Sequence, residues 1–114
     1  TGALITASIL MGAVCGSTSD NEWRELTRAG QAIGLAFQIQ DDILDETAST
    51  EALGKTRGRD HYLKKSTFPS MTGLESSQIE AQSLVAKAKS ALERLPKDTT
   101  LLQDLARLSV ERTN

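Results

Sequence analysis

Four stretches of the chain carry apolar residues with a helical spacing, and polar or glycine-containing segments separate them. Residues 2–15 are apolar on most sides and include no charged residue, which is typical of a helix buried among others. Residues 20–46 carry apolar positions at alternating steps of three and four, which predicts one long helix with a packed face. The same spacing predicts shorter amphipathic helices over about 77–95 and 100–112. The pattern therefore predicts an all-α fold.

Two capping signals predict where two of these helices begin. Glu22 follows Ser19 by three residues, and Glu80 follows Ser77 at the same spacing. A Ser with a Glu three residues later forms a capping box, in which each side chain satisfies a backbone N–H at the helix start. The second helix is therefore expected to begin at about Asp20 and the next amphipathic helix near Ser77.

The last two helices look like an antiparallel hairpin of ordinary amphipathic helices, and no chemistry is expected on them. The inward positions expected on the first of the pair are Leu84, Val85, Ala88, Leu92 and Leu95. Those expected on the final helix are Leu101, Leu102, Leu105, Leu108 and Ser109.

The composition agrees with one small helical unit. The chain has 114 residues, which allows at most one domain, and its aromatic content is only 4% with two Pro, which favours helices over strands. A net charge of −2 gives no reason to expect a nucleic-acid partner. The apolar stretch 2–15 is too short to span a membrane. The single cysteine, Cys15, cannot form an internal disulfide, and a cytoplasmic location is expected.

The apolar content also predicts that residues 1–114 are the C-terminal fragment of a larger domain. The chain opens directly inside the apolar stretch 2–15, and a second apolar run covers residues 32–44. Two or three companion helices can hardly enclose both runs. We therefore expect these residues to be part of a longer chain.

The second helix carries a polar strip that we call the acidic ridge: Gln38, Asp41, Asp42 and Asp45. Residues three and four apart are neighbours on a helix, so these side chains share one side, and no Lys or Arg lies at that spacing to offset the carboxylates. Like charges this close repel, and a bound Mg²⁺, which prefers carboxylate oxygens and substrate phosphates, would remove the penalty. The alternative is a solvated acidic face of an amphipathic helix.

The sign of the charge reverses directly after the acidic ridge. Residues 41–51 hold five acids and no base, whereas residues 54–65 hold five bases and a single acid; the bases are Lys55, Arg57, Arg59, Lys64 and Lys65. A metal neutralises carboxylates while Lys and Arg bind the remaining phosphate oxygens, so this arrangement suits a metal–diphosphate ligand. A solvated loop whose charges are attracted to the end of the helix is the alternative.

These motifs resemble the C-terminal part of the polyprenyl synthetase, or trans-prenyltransferase, family, and most closely its bacterial members that form farnesyl diphosphate. Residues 37–45 (FQIQDDILD) resemble the second aspartate-rich motif of the family. Residues 53–55 (LGK), 58–60 (GRD) and 64–69 (KKSTFP) follow at the family's spacing. Thr1-Gly2 resembles the end of its Lys-Thr-Gly element. The resemblance covers essentially all of the chain.

The resemblance implies a helical bundle of the isoprenoid-synthase type, a homodimer as the full-length chain, and a Mg²⁺-dependent reaction. An allylic diphosphate (dimethylallyl or geranyl) would condense with isopentenyl diphosphate to give farnesyl diphosphate and release diphosphate. Asp41, Asp42 and Asp45 would hold Mg²⁺, and Lys55 and Lys65 would contact the allylic diphosphate. Catalysis would depend on these two lysines together with Asp41 and Asp42. Thr1 and Gln38 would line the reacting end, and Phe37 would pack near isopentenyl diphosphate.

The chain departs from the family pattern in lacking the first aspartate-rich motif, so residues 1–114 alone are expected to be inactive. Product chain length also stays open, and a geranylgeranyl diphosphate synthase is one alternative. A non-catalytic homologous subunit, whose acidic helix binds a basic partner surface, is another. A terpene cyclase is disfavoured because the lysine-rich loop stands in place of the second metal motif expected there.

Overall fold

A computed structural model of the chain describes residues 1–52 and 73–113, and the side chains of residues 1–48 and 73–113. This part of the chain forms four helices and no strand: α1 (Gly2–Val14), α2 (Asp20–Ala52), α3 (Leu74–Glu93) and α4 (Thr100–Glu111). The prediction of an all-α fold is confirmed. Among these residues, none of the helices combines the length and apolar character that crossing a membrane requires.

The long helix α2 is the centre of the structure, since α1, α3 and α4 all pack against it. The buried core consists mainly of small and β-branched residues from α2 and of alanines and leucines from α3. Its members are Ala29, Ala32, Ile33, Ala36, Ile39, Ile43, Ala81, Leu84, Ala88, Ala91, Leu92, Leu95 and Ala106. Of the predicted inward positions before α4, Leu84, Ala88, Leu92 and Leu95 are buried and Val85 is half-buried, so that prediction is confirmed.

A buried carboxylate fixes α3 antiparallel to α2. Glu25, near the start of α2, is only 7% exposed, and its two oxygens lie 3.4 Å from Arg28 and 3.4 Å from Arg94 at the end of α3. A buried charge is tolerated only where partners compensate its lost hydration. The pairing therefore holds the end of α3 beside the start of α2.

Helix α1 crosses α2 at two glycines, and this crossing places Thr1 near the acidic half of α2. A Cβ added to Gly34 would lie 2.6 Å from the Gly2 Cα, and one added to Gly30 would lie 3.0 Å from the Thr6 Oγ1. The order of these contacts makes α1 antiparallel to α2. Thr1 consequently lies at the end of α1 that faces the second half of α2.

The predicted burial of residues 2–15 is wrong for this chain, because no residue of α1 is buried. Ile5 and Ile9 pack against the core, whereas Leu4, Met11 and Val14 are 61–69% exposed. The physical reason is that α1 packs chiefly against α2, and one neighbouring helix covers only one stripe of another. The outer face of α1 is thus apolar and exposed.

The inner face predicted for the final helix is also partly wrong. Leu101, Leu105 and Leu108 are at least half exposed, whereas Ala106 and Ser109 are buried and Leu102 is half-buried. Close packing of α4 on α3 and α2 favours the side with the small residues, since these let the backbones approach. The leucine side of α4 faces outward.

Ser77 is not the helix cap that its spacing predicts. Helix α3 begins at Leu74, three residues earlier, directly after Gly73, which has a φ of 90° that favours glycine. Ser77 is buried in the first turn and donates a hydrogen bond of 2.8 Å to the Gly73 carbonyl. A backbone turn at glycine therefore starts this helix.

The capping box at the start of α2 is confirmed. The Glu22 N–H donates to the Ser19 Oγ at 3.2 Å, and the Ser19 backbone N–H is among the groups that lower the pKa of the Glu22 carboxyl. Lys97, from the turn before α4, lies 2.9 Å from the same carboxylate and also donates to the Ser17 carbonyl. The hydrogen bond from Lys97 is the largest cause that holds the pKa of Glu22 below its ordinary value of 4.5.

Replacing Glu22 with Gln is expected to lower the melting temperature at pH 7, and by progressively less as the pH falls below 4.5. A carboxyl whose pKa is lower in the folded state stabilises the fold above its unfolded pKa, and this contribution disappears as the pH falls through the folded value. Thermal melts between pH 3 and pH 7 measure the difference. Glu93→Gln is the matched control, since that carboxylate has only a 3.9 Å contact with Lys89 on an exposed face. Equal pH profiles for both variants would contradict the prediction.

Candidate functional site

The acidic ridge lies on a continuous helix, as predicted, and α2 extends beyond the predicted end at Glu46 to Ala52. Asp41 and Asp42 are half-buried, whereas Gln38 and Asp45 are exposed. The ridge therefore runs along the margin between the packed face of α2 and the solvent. Its carboxylates are neither sealed in the core nor fully surrounded by water.

Arg112, directly after α4, supplies a cation to this ridge. Its Nη2 donates to the Asp41 Oδ1 at 2.6 Å and to the Phe37 carbonyl at 3.0 Å. The guanidinium carbon lies 4.0 Å from the centre of the Phe37 ring, a cation–π contact. Repulsion among the carboxylates is therefore offset at Asp41, although no base is nearby in sequence.

Two further contacts, one with α4 and one with α2, fix Arg112. Its Nε donates to the Ser109 carbonyl at 3.1 Å, and its own carbonyl accepts from the Gln40 Nε2 at 3.2 Å. Sequence reasoning missed this residue because it expected no chemistry on the final helix. The only signal was an Arg at the end of the last predicted helix, and Arg at such a position is too common to indicate a site.

The carboxylate oxygens of the acidic ridge are suitable ligands for a hard cation, but they do not enclose one by themselves. Among the described residues, no group of three or more His, Cys, Asp or Glu is arranged to hold a metal ion, so the ridge is not a closed all-protein cage. Mg²⁺, however, is usually bound by one or two carboxylates together with water and substrate phosphates. Exposed and half-exposed carboxylates on one helical side fit that mode of binding.

The remaining predicted site residues divide into two groups. Thr1 is exposed at the start of α1, and Phe37 is half-buried under the Arg112 guanidinium. Lys55 and Lys65 lie outside the described residues, together with the rest of the basic loop, so their predicted roles stay predictions. The structure thus brings Phe37, Asp41 and Arg112 together.

An apolar groove of about 860 Å³ lies between α1 and α4 over the first half of α2. Ile9, Leu26 and Leu105 are among its lining residues, and none of the ridge carboxylates contributes to it. The groove is therefore separate from the acidic ridge. Its surface is mainly apolar, whereas the surface of the ridge is charged.

The chain matches a family of known proteins along most of its length. The family model described as polyprenyl synthetase matches residues 1–105. The farnesyl diphosphate synthase of Escherichia coli is 40% identical over 116 aligned residues, which cover 98% of this chain and 39% of that protein. The chloroplastic geranylgeranyl pyrophosphate synthase of Capsicum annuum is 44% identical over 93 residues, covering 82% of this chain and 25% of that protein.

A solved structure shares the fold as well. The crystal structure of a candidate farnesyl-diphosphate synthase from Marinomonas sp. MED121 superposes with a TM-score of 0.77 at 32% sequence identity. The match covers 96% of this chain and 36% of that one. The chain therefore spans between a quarter and two fifths of the length of these three proteins.

Proposed function

The chain belongs to the polyprenyl synthetase family, and we propose that the intact protein is a prenyltransferase that joins an allylic diphosphate to isopentenyl diphosphate. The observation that carries this proposal is the acidic ridge on α2, with three carboxylates on one helical side and a basic stretch directly after it in sequence. This order of charges suits a diphosphate held by a divalent cation and by lysines.

The proposed division of roles follows the chemistry of diphosphate departure. Asp41, Asp42 and Asp45 would hold Mg²⁺, which when bound neutralises the negative charge that develops on the leaving diphosphate. Lys55 and Lys65 would bind other phosphate oxygens of the allylic substrate. The half-buried position of Asp41 and Asp42 supports this, since electrostatic interactions are stronger where water is partly excluded.

The remaining substrate contacts belong to the end of the ridge nearest α1. Thr1 and Gln38 would line the reacting end, and Phe37 would pack near isopentenyl diphosphate. The antiparallel crossing of α1 and α2 supports a common location for the first two, because the Gly2–Gly34 contact directs Thr1 toward the later turns of α2.

Farnesyl diphosphate is the proposed product. The relative from Escherichia coli that carries this name supports the choice. Geranylgeranyl pyrophosphate synthases match the chain equally well, so the longer product is the alternative.

The assembly and location proposed for the intact protein are a homodimer in the cytoplasm. The exposed leucine side of α4 and the exposed apolar side of α1 are surfaces that the rest of the intact chain or a second copy can cover. Cys15, exposed and free, is compatible with a reducing compartment.

The proposal predicts a product that forms only with Mg²⁺. The intact protein is incubated with isotopically labelled isopentenyl diphosphate and dimethylallyl diphosphate, with Mg²⁺ or with a chelator. Labelled C15 diphosphate is expected with Mg²⁺, and its formation should stop with the chelator and resume when Mg²⁺ is restored. A C20 product would favour the geranylgeranyl alternative. No turnover with any allylic substrate, in a folded protein, would favour the non-catalytic subunit.

A further inference from the structure

Arg112 is held by contacts that do not depend on the carboxylate it pairs with. Its Nε donates to the Ser109 carbonyl, its Nη2 donates to the Phe37 carbonyl, and its guanidinium carbon lies over the Phe37 ring. A guanidinium that donates hydrogen bonds from two of its nitrogens and packs against an aromatic ring is held in place, so it cannot follow a moving carboxylate. Arg112 is thus a fixed donor rather than a mobile counter-ion.

The contact with Asp41 has the geometry of an orienting bond. Nη2 meets Oδ1 at 2.6 Å, a short charge-assisted hydrogen bond, and the Asp41 side chain remains 48% exposed. One carboxylate oxygen is therefore held by the protein while the side chain keeps surface that a ligand can reach. Partners of this kind orient ligating carboxylates in metal sites.

We propose that Arg112 is a positioning residue that holds the Asp41 carboxylate in a fixed orientation toward a divalent cation and its diphosphate ligand, an inference that rests on the proposed function. Arg112 links the final helix to the acidic ridge, so α4 contributes to the site through Asp41. The Gln40 side chain, nearly buried, reinforces the link by donating to the Arg112 carbonyl.

The test measures cation binding without turnover. The melting temperature of the intact protein is followed during a Mg²⁺ titration at saturating inorganic diphosphate, for the wild type, Arg112→Ala and Arg112→Lys. The Mg²⁺ concentration at the midpoint of the shift is expected to rise roughly 10-fold in Arg112→Ala. Arg112→Lys should also raise the midpoint, because a single ammonium cannot bond Ser109, Phe37 and Asp41 together.

The matched control is Arg107→Ala, which removes an Arg from an exposed face of α4 where it pairs with Asp104 and Glu111. Its Mg²⁺ midpoint should equal that of the wild type. An unchanged midpoint in both Arg112 variants, even with a lower starting melting temperature, would show that the residue is only structural. If Arg112→Ala does not fold, a wild-type midpoint in Arg112→Lys overturns the inference.

The same titration separates this inference from the proposed function. A wild-type protein that shows no Mg²⁺-dependent shift with diphosphate contradicts the proposed function itself. A normal wild-type shift that Asp41→Asn weakens and that neither Arg112 variant changes contradicts only the role of Arg112.

Discussion

Replacing Asp41 with Asn is expected to lower the turnover of the intact protein roughly 100-fold or more, because a preorganised charge at the departing diphosphate is lost. Asn has nearly the same size as Asp but is neutral and a weaker ligand for a hard cation. The fold should survive, because Asp41 is 48% exposed and Arg112 keeps its bonds to the Phe37 and Ser109 carbonyls. Losing the ionic part of this pair, in which Asp41 is half-exposed and the Arg112 side chain is 21% exposed, costs on the order of 1 kcal/mol.

Steady-state assays at saturating Mg²⁺ measure the loss of turnover, and circular dichroism melts test whether the fold survives. Asp104→Asn is the matched control: it makes the same chemical change at an exposed carboxylate on α4, 3.7 Å from Arg107. The control should keep turnover near the wild-type level. Turnover in Asp41→Asn equal to that of the control would exclude a metal role for Asp41.

The helical part of the fold could be predicted because its signals are local. The spacing of apolar residues along α3 reflects one packed face, and that face is buried as expected. Along α2 the spacing predicted the helix, but its stripe at steps of three and four runs through Trp23, which is 39% exposed, whereas Ala29, Ala36 and Ile39 lie on the buried side. The Ser19–Glu22 box involves residues three apart, so its geometry does not depend on distant contacts. At Ser77 the same spacing predicted the wrong helix start, because the backbone turn at Gly73 lets the helix begin at Leu74.

Which side of a helix is covered could not be predicted as well, because coverage depends on the neighbours. The apolar residues of α1 surround most of the helix, and the leucines of α4 were the natural choice for its inner face. In the structure α1 has essentially one neighbouring helix, and α4 presents Ala106 and Ser109 to its partners. The hydrophobicity of a residue indicates how strongly it tends to be buried. Where two helix backbones pack closely, however, small residues occupy the interface in place of larger apolar ones.

In the candidate site, too, the features set by neighbouring residues could be predicted, and those set by distant contacts could not. The shared side of Asp41, Asp42 and Asp45 follows from helix geometry, and the sequence was sufficient to predict it. The cation opposite Asp41 comes from Arg112, 71 residues later, which no rule about neighbouring positions can detect. The metal and lysine roles come from the resemblance to a family and stay proposals, with Lys55 and Lys65 beyond the described residues.

Replacing Gly34 with Ala is expected to destabilise the packing of α1 on α2 by about 1–3 kcal/mol, as is usual when a methyl group is forced into a full interface. The added Cβ would lie 2.6 Å from the Gly2 Cα and 3.3 Å from the Gly2 carbonyl oxygen. These are backbone atoms, so no side-chain rotation relieves the clash and α1 itself must move. Turnover should fall too, since the shift displaces Thr1 from its place beside the later turns of α2.

Gly12→Ala is the matched control because a Cβ at that position has no neighbour within 4 Å. Alanine is the better helix former, so this control should be neutral or stabilising by up to about 1 kcal/mol. Thermal melts of the two variants measure the difference in stability. Turnover assays show whether a displacement of α1 also lowers activity. A Gly34→Ala protein as stable as Gly12→Ala would mean that the two helices are not in backbone contact. The placement of Thr1 close to α2 near Gly34 would then lose its support.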